Sequence, residues 1–294
     1  MFRAQVFKAT GDFLRALEDV HDAIRFSPGD PLPHVFRAEL YVEQLQYPLA
    51  IAACNAALAL DPASATAISC RAIARCYLGD AAQAFADAEE AARLDSTLEG
   101  PLQVRAAIYL DRGDLSNALQ QLDEAIRLVP DSAASYCTRS LVYQALGDNE
   151  RALADCDRAI ALTPNDPVPW NNRGFIQMKR GEYAGAVGDY RRAIECGPKH
   201  PNAYKNLAWL LATCPEERFR NGTEATRQAR RALELSDWKQ AQWHEILAAA
   251  YAESGDYGAA ARWQTKAIRM FGAAAPPEAN QRLEAYQSCR AWRE

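Results

Sequence analysis

Apolar residues along this chain fall into short stripes of helical period, separated by Gly-Asp pairs and prolines. Residues 133–166 show the unit: two amphipathic segments, a Gly-Asp between them and a proline stop at the end. A shift of 34 residues in either direction brings the same landmarks back. Alanine returns at Ala16, Ala50, Ala84, Ala118, Ala152 and Ala186, and again at Ala23, Ala57, Ala91, Ala125, Ala159 and Ala193. Gly79, Gly113, Gly147 and Gly181 keep the period. So do Pro28, Pro62, Pro130, Pro164 and Pro198, with Ser96 in the one missing slot. The pattern predicts a chain of helix pairs and no strands.

Each column has a physical reason. Alanines seven apart, about two turns, share one face of the second helix of each pair. Their small size lets a neighbouring helix approach closely. The glycine stands where the first helix ends and can take the left-handed conformation that a helix exit often needs. Asp80, Asp114 and Asp148 follow it and can cap the next helix. The late proline cannot continue a helix. Asp30-Pro31 and Asp166-Pro167 then read as a cap with proline at the first helical position.

A fixed 34-residue period of this character resembles the tetratricopeptide-repeat family. The resemblance implies an all-α, right-handed solenoid of about eight helix pairs with a C-terminal capping helix. The array covers 1–272, with a partial repeat at 1–30 and full repeats at 31–64, 65–98, 99–132, 133–166 and 167–200. A longer unit with an insertion follows at 201–240 and a regular one at 241–272. Leu45-Gln46-Tyr47-Pro48 replaces Gly-Asp at one internal turn. Residues 273–294 read as a linker and a last helix, with Leu283, Tyr286 and Trp292 covering the open end that such arrays must close. Residues 205–294 also resemble a planctomycete-type bacterial subgroup, through LAWLLATCP, a Phe-Arg-Asn-Gly segment and AAAYAESGDYGAAARWQTKAI.

Composition narrows the function. With 49% apolar and 24% charged residues, the chain reads as soluble and globular. A net charge of −5 and a pI near 5.5 argue against nucleic-acid binding through a basic face. No apolar run approaches the ~18 residues of a membrane span, and no secretory h-region opens the chain. The expected location is cytoplasmic. The eight cysteines include no CxxC pair and read as small buried thiols. His21, His34, His200 and His244 are scattered, and no phosphate loop, nucleophile elbow or metal-spaced cluster appears. A non-catalytic chain without metal or cofactor is expected.

Two sets of residues stand out. The seventh position of five first helices is arginine (Arg37, Arg71, Arg105, Arg139, Arg173), and second helices carry Asp19, Asp87, Asp155 and Asp189 at a matching position. These columns predict a ladder of half-buried ion pairs fixing how repeats stack. In the family the first helices line a concave surface that takes extended peptides. By register that surface includes Asn171, Asn172, Phe175, Met178, Lys179, Lys205, Asn206 and Trp209, a mix of apolar anchors, amides and cations suited to a peptide. Asn172 and Asn206 match one element of the family's carboxylate clamp, but Trp209, Gln242 and Ile246 depart from it. The resulting expectation is a scaffold binding a protein or peptide partner. The alternative is a regulatory or assembly region of a larger enzyme or sensor, such as a bacterial serine/threonine kinase. A third is self-association through an uncovered N-terminal face.

Overall fold

The computed structural model describes residues 1–293, which form seventeen α-helices and no strand. They divide into two compact units, Met1–Leu146 and from Gly147 onward. The first unit holds α1 (Phe2–Ala9), α2 (Phe13–Phe26), α3 (Leu32–Glu43), α4 (Tyr47–Leu60) and α5 (Ala65–Tyr77). It continues with α6 (Ala81–Leu94), α7 (Glu99–Asp111), α8 (Leu115–Leu128) and α9 (Ala133–Ala145). The second holds α10 (Asn149–Leu162), α11 (Pro167–Lys179), α12 (Tyr183–Cys196) and α13 (Pro201–Thr213), then α14 (Gly222–Leu235), α15 (Ala241–Glu253), α16 (Tyr257–Phe271) and α17 (Pro277–Gln287). Each unit is an α-solenoid in which sequence neighbours pack together. The first helices also touch one another, α3 to α5 to α7 to α9 and α11 to α13 to α15.

Local chemistry starts and stops these helices. Asp12, Asp80, Asp114, Asp148 and Asp256 each accept a hydrogen bond from the backbone N–H three residues on. The glycine before each of them has a φ of 74° to 83°. The irregular turn solves the same problem at a cost. Leu45 occupies the glycine slot at φ 59°, where a Cβ is disfavoured, and Gln46 provides no side-chain cap. Because Leu45 is 70% exposed, it has little packing to lose. Leu45→Gly is expected to stabilise the first unit by about 1–2 kcal/mol. Gln46→Asp should add about 1 kcal/mol by restoring the cap. A thermal melt in which Leu45→Gly leaves the midpoint unmoved or lowers it would contradict this account.

The alanine columns form the seams between helices. Ala16, Ala50, Ala84 and Ala118 in the first unit, and Ala152 and Ala186 in the second, are fully buried. A further column joins repeat ends to the next first helix. Tyr136, Trp170 and Tyr204, 34 residues apart, each donate to the carbonyl of the proline six residues back: Pro130, Pro164 and Pro198. Those prolines therefore stop one helix and also anchor the next.

The expected insertion lies between α13 and α14, as a short 3-10 turn over Glu217–Phe219. Arg220 fastens it, reaching Glu253 at 3.1 Å and the carbonyls of Cys214 and Pro215. At the other end α17 packs on α16, burying Ala279 and Tyr286. Leu283 is half-buried. The last helix ends at Gln287, short of the expected length, because Cys289 takes φ 55° and turns the chain back. Trp292 is half-buried and reached by that return, and Glu294 lies outside the described residues.

Candidate functional site

The arginine and aspartate columns meet, in a richer pattern than expected. Arg71 donates Nε and Nη2 to Asp87 at 2.9 Å and Nη1 to Asn55 at 2.9 Å. Arg173 repeats this, with Asp189 at 2.7 and 2.8 Å and Asp157 at 2.6 Å. The partners lie sixteen residues after and sixteen before the arginine, so each rung ties three helices. Arg139 takes Asp123, sixteen residues back, at 2.7 Å, and Asp155 is buried. Asp189 raises the Arg173 pKa further above its ordinary value, with Asp157 adding to the effect. Asp19 pairs with Arg3, which stands one period before Arg37 and extends the arginine column to the first helix.

Two expected rungs fail. Sixteen residues after Arg37 stands Ala53, and after Arg105 stands Gln121. Neither arginine pairs with a carboxylate among the described residues, and each keeps a buried Nε without a partner. Arg37 instead places Nη2 3.2 Å from Nδ1 of His34.

The expected peptide-contact residues do not form one continuous set. Asn171 and Asn172 are buried at 8% exposure, placing them in the helix packing rather than on an open surface. Asn206 Nδ2 donates to Asn171 Oδ1 at 2.9 Å, joining α13 to α11, while Asn172 Nδ2 is buried without an acceptor. Phe175 is half-buried, with the Lys179 ammonium 5.9 Å from its ring centre. Met178, Lys179 and Trp209 line a cleft of about 150 Å³ with Tyr183, Leu210, Thr213, Cys214 and Pro215. The register identified three of its eight lining residues; the rest come from the ends of α12 and α13 and the turn that follows, where the repeat pattern changes.

Lys205 sits half-buried on α13, and no carboxylate pairs with it among the described residues. Burial alone holds its pKa below the ordinary lysine value. A cation so placed lacks part of its hydration and has no compensating anion. Trp209 is also covered: the Arg282 guanidinium of α17 lies 5.4 Å from its ring centre and 5.5 Å from that of Trp292. Arg282 is itself held by Glu245 at 3.1 Å.

Five of the eight cysteines, Cys54, Cys70, Cys137, Cys156 and Cys214, are buried as small core residues, whereas Cys76 and Cys196 are half-buried and Cys289 is exposed, against the expectation for all eight. Burial lowers the pKa of His34, His200 and His244. Among the described residues no helix is long and apolar enough to cross a membrane.

Comparison with known proteins reaches the repeat. Tetratricopeptide-repeat families match residues 3–65 and 141–206, and a TPR repeat family matches 106–147. None of these matches supports the planctomycete-type bacterial subgroup expected for residues 205–294. No curated protein matches the chain. Among solved structures it is similar to the anaphase-promoting-complex hetero-tetramer Cut9–Hcn1, with a TM-score of 0.82 at 15% identity over 97% of this chain. The chain spans about half the length of that relative, 54%. It is also similar to the human IFIT1 dimer with m7Gppp-AAAA, at TM-score 0.65, 14% identity, and 88% and 68% coverage of the two chains. A third is TTC0263, a thermophilic TPR protein of Thermus thermophilus, at 0.53, 23% identity, and 59% and 94% coverage.

Proposed function

Since the chain is built of tetratricopeptide repeats, we propose that it is a non-catalytic scaffold whose second unit binds a peptide segment on the face formed by α11, α13 and α15. One observation carries this reading: an unpaired, half-buried ammonium at Lys205 on the same helix as Trp209, which lines a cleft of mixed polar and apolar character with Met178. The cleft takes an apolar side chain, and Lys205 supplies charge to an acidic group or a carbonyl of the same segment. Stacked helices hold these groups in place before binding, which limits the ordering entropy lost on association. Cut9 is found with a protein partner, whereas IFIT1 is found with m7Gppp-AAAA. A net charge of −5 favours the protein partner here.

The test is affinity capture followed by quantification of each captured protein, with wild type beside Lys205→Glu and Trp209→Ala. Charge reversal at Lys205 is expected to lower recovery of the specific partner at least tenfold, corresponding to about 1.4 kcal/mol or more. Circular dichroism should remain unchanged. Equal recovery of every partner by all three proteins would remove the groove from this face.

A further inference from the structure

The chain's own C-terminal residues already lie on this face. After α17 the left-handed Cys289 reverses the chain, and Ala291 and Trp292 pack against the cluster of Ala248, Ala252 and Tyr286. Trp292 and Trp209 flank the Arg282 guanidinium. Arg293 reaches Glu253 of α15 at 2.8 Å and lies 3.5 Å from the Ala212 carbonyl at the end of α13. Residues 290–293 are in neither helix nor strand. Among the described residues, the backbone N–H groups of Ala291, Trp292 and Arg293 make no backbone hydrogen bond. This segment is held by its side chains, as a bound ligand is.

The capping helix α17 has contacts of its own with α16: Ala279 is buried, and Gln264 of α16 donates to the Ala279 carbonyl and to Glu245. What the tail adds is an aromatic ring and a guanidinium on a seat of matching chemistry. Glu253 is only 14% exposed, and one of its oxygens faces Arg293 while the other faces Arg220. If the tail leaves, a largely buried carboxylate oxygen loses its cation, so the seat favours a replacement guanidinium.

We propose that residues 290–293 are an intramolecular ligand, and that the partner of this face is an extended segment carrying an aromatic–arginine pair that displaces Trp292 and Arg293. This rests on the reading that the α11–α13–α15 face binds peptide. The tail is tethered by only a few residues after α17. Its effective concentration is therefore in the millimolar range, and a free segment must outcompete it. The contact sets a threshold on binding.

The probe is a fluorescein-labelled synthetic peptide of residues 286–293, with serine replacing its cysteine, followed by anisotropy against full-length protein. The Trp292→Ala/Arg293→Ala variant is expected to bind this probe at least tenfold more tightly than wild type. Adding Glu253→Gln should reverse most of that gain. A peptide with alanine for its tryptophan and last arginine should bind neither protein. Arg293→Glu, which changes only the exposed end of the tail, provides a second release variant and should also bind more tightly than wild type. Equal affinity of wild type and both release variants, or no binding to folded release variants, overturns the proposal. If that happens while Lys205→Glu still loses captured partners, the tail proposal falls alone. If Lys205→Glu also changes nothing, the peptide-binding reading falls with it.

Discussion

Asp189→Ala should destabilise the second unit by about 3–5 kcal/mol, because it leaves the Arg173 guanidinium half-buried without its main anion. Asp157→Ala removes a carboxylate from the same guanidinium and should cost only about 0–1 kcal/mol. The contrast comes from burial: the Asp189 side chain is 9% exposed and that of Asp157 is 61%. Both are within reach of Arg173, at 2.7 and 2.6 Å, so distance does not separate them. Replacing Arg173 with methionine in the Asp189→Ala background should recover much of the loss, since a packed apolar pair can match a buried ion pair. Urea unfolding of the four proteins at neutral pH measures all three effects. Equal costs for the two aspartates would show that the rung is solvated and that Asp189 is a surface charge.

The second large effect is steric. A Cβ on Gly222 would stand 2.4 Å from the backbone nitrogen of Ser254 and 2.7 Å from the carbonyl carbon of Glu253. Backbone cannot swing aside as a long side chain can, so Gly222→Ala must move α14 away from the end of α15. A cost of about 1–3 kcal/mol or more is expected. Gly188 is the control. It lies within α12 with nothing inside 4 Å of its would-be Cβ, so Gly188→Ala should stabilise by about 0.5–1 kcal/mol. The same change should therefore act with opposite sign at two helical glycines. A thermal melt in which both substitutions shift the midpoint in one direction would refute the close-approach account. Gly222→Ala should also weaken the Arg220–Glu253 contact, which bridges the same seam.

Much of this architecture can be read from repetition, because a recurring residue reports a recurring environment. The alanine, glycine and capping-aspartate columns locate the seams and turns without coordinates. The ladder is half legible. The partner sixteen residues ahead is a fixed aspartate in several repeats, but the partner behind varies between Asn55, Asp123 and Asp157, so no single column reveals it. Arg37 and Arg105 show the opposite error, an arginine kept where the facing carboxylate is absent. Asn171 and Asn172 mislead for a related reason. Register gives the side of a helix, but the neighbouring helices decide whether that side stays open: both amides are buried, and Asn206 of α13 donates to Asn171. The tail is illegible because nothing in it repeats. Its place follows from one left-handed residue and from Glu253, both visible only in three dimensions.

The sixteen-residue reach of each arginine has a consequence for how such a chain can change length. A rung joins a first helix to the second helix of its own repeat and to that of the repeat before. Inserting or deleting a whole 34-residue unit brings a new arginine and its carboxylates into the same relation, and the seams on either side remain matched. An increment of another length inside a helix pair moves the arginine off the sixteen-residue spacing that its carboxylates require. Whole-repeat duplication therefore preserves the ladder and lets the array be edited by modules, whereas the off-period turn between α13 and α14 lies beyond the last rung, Arg173.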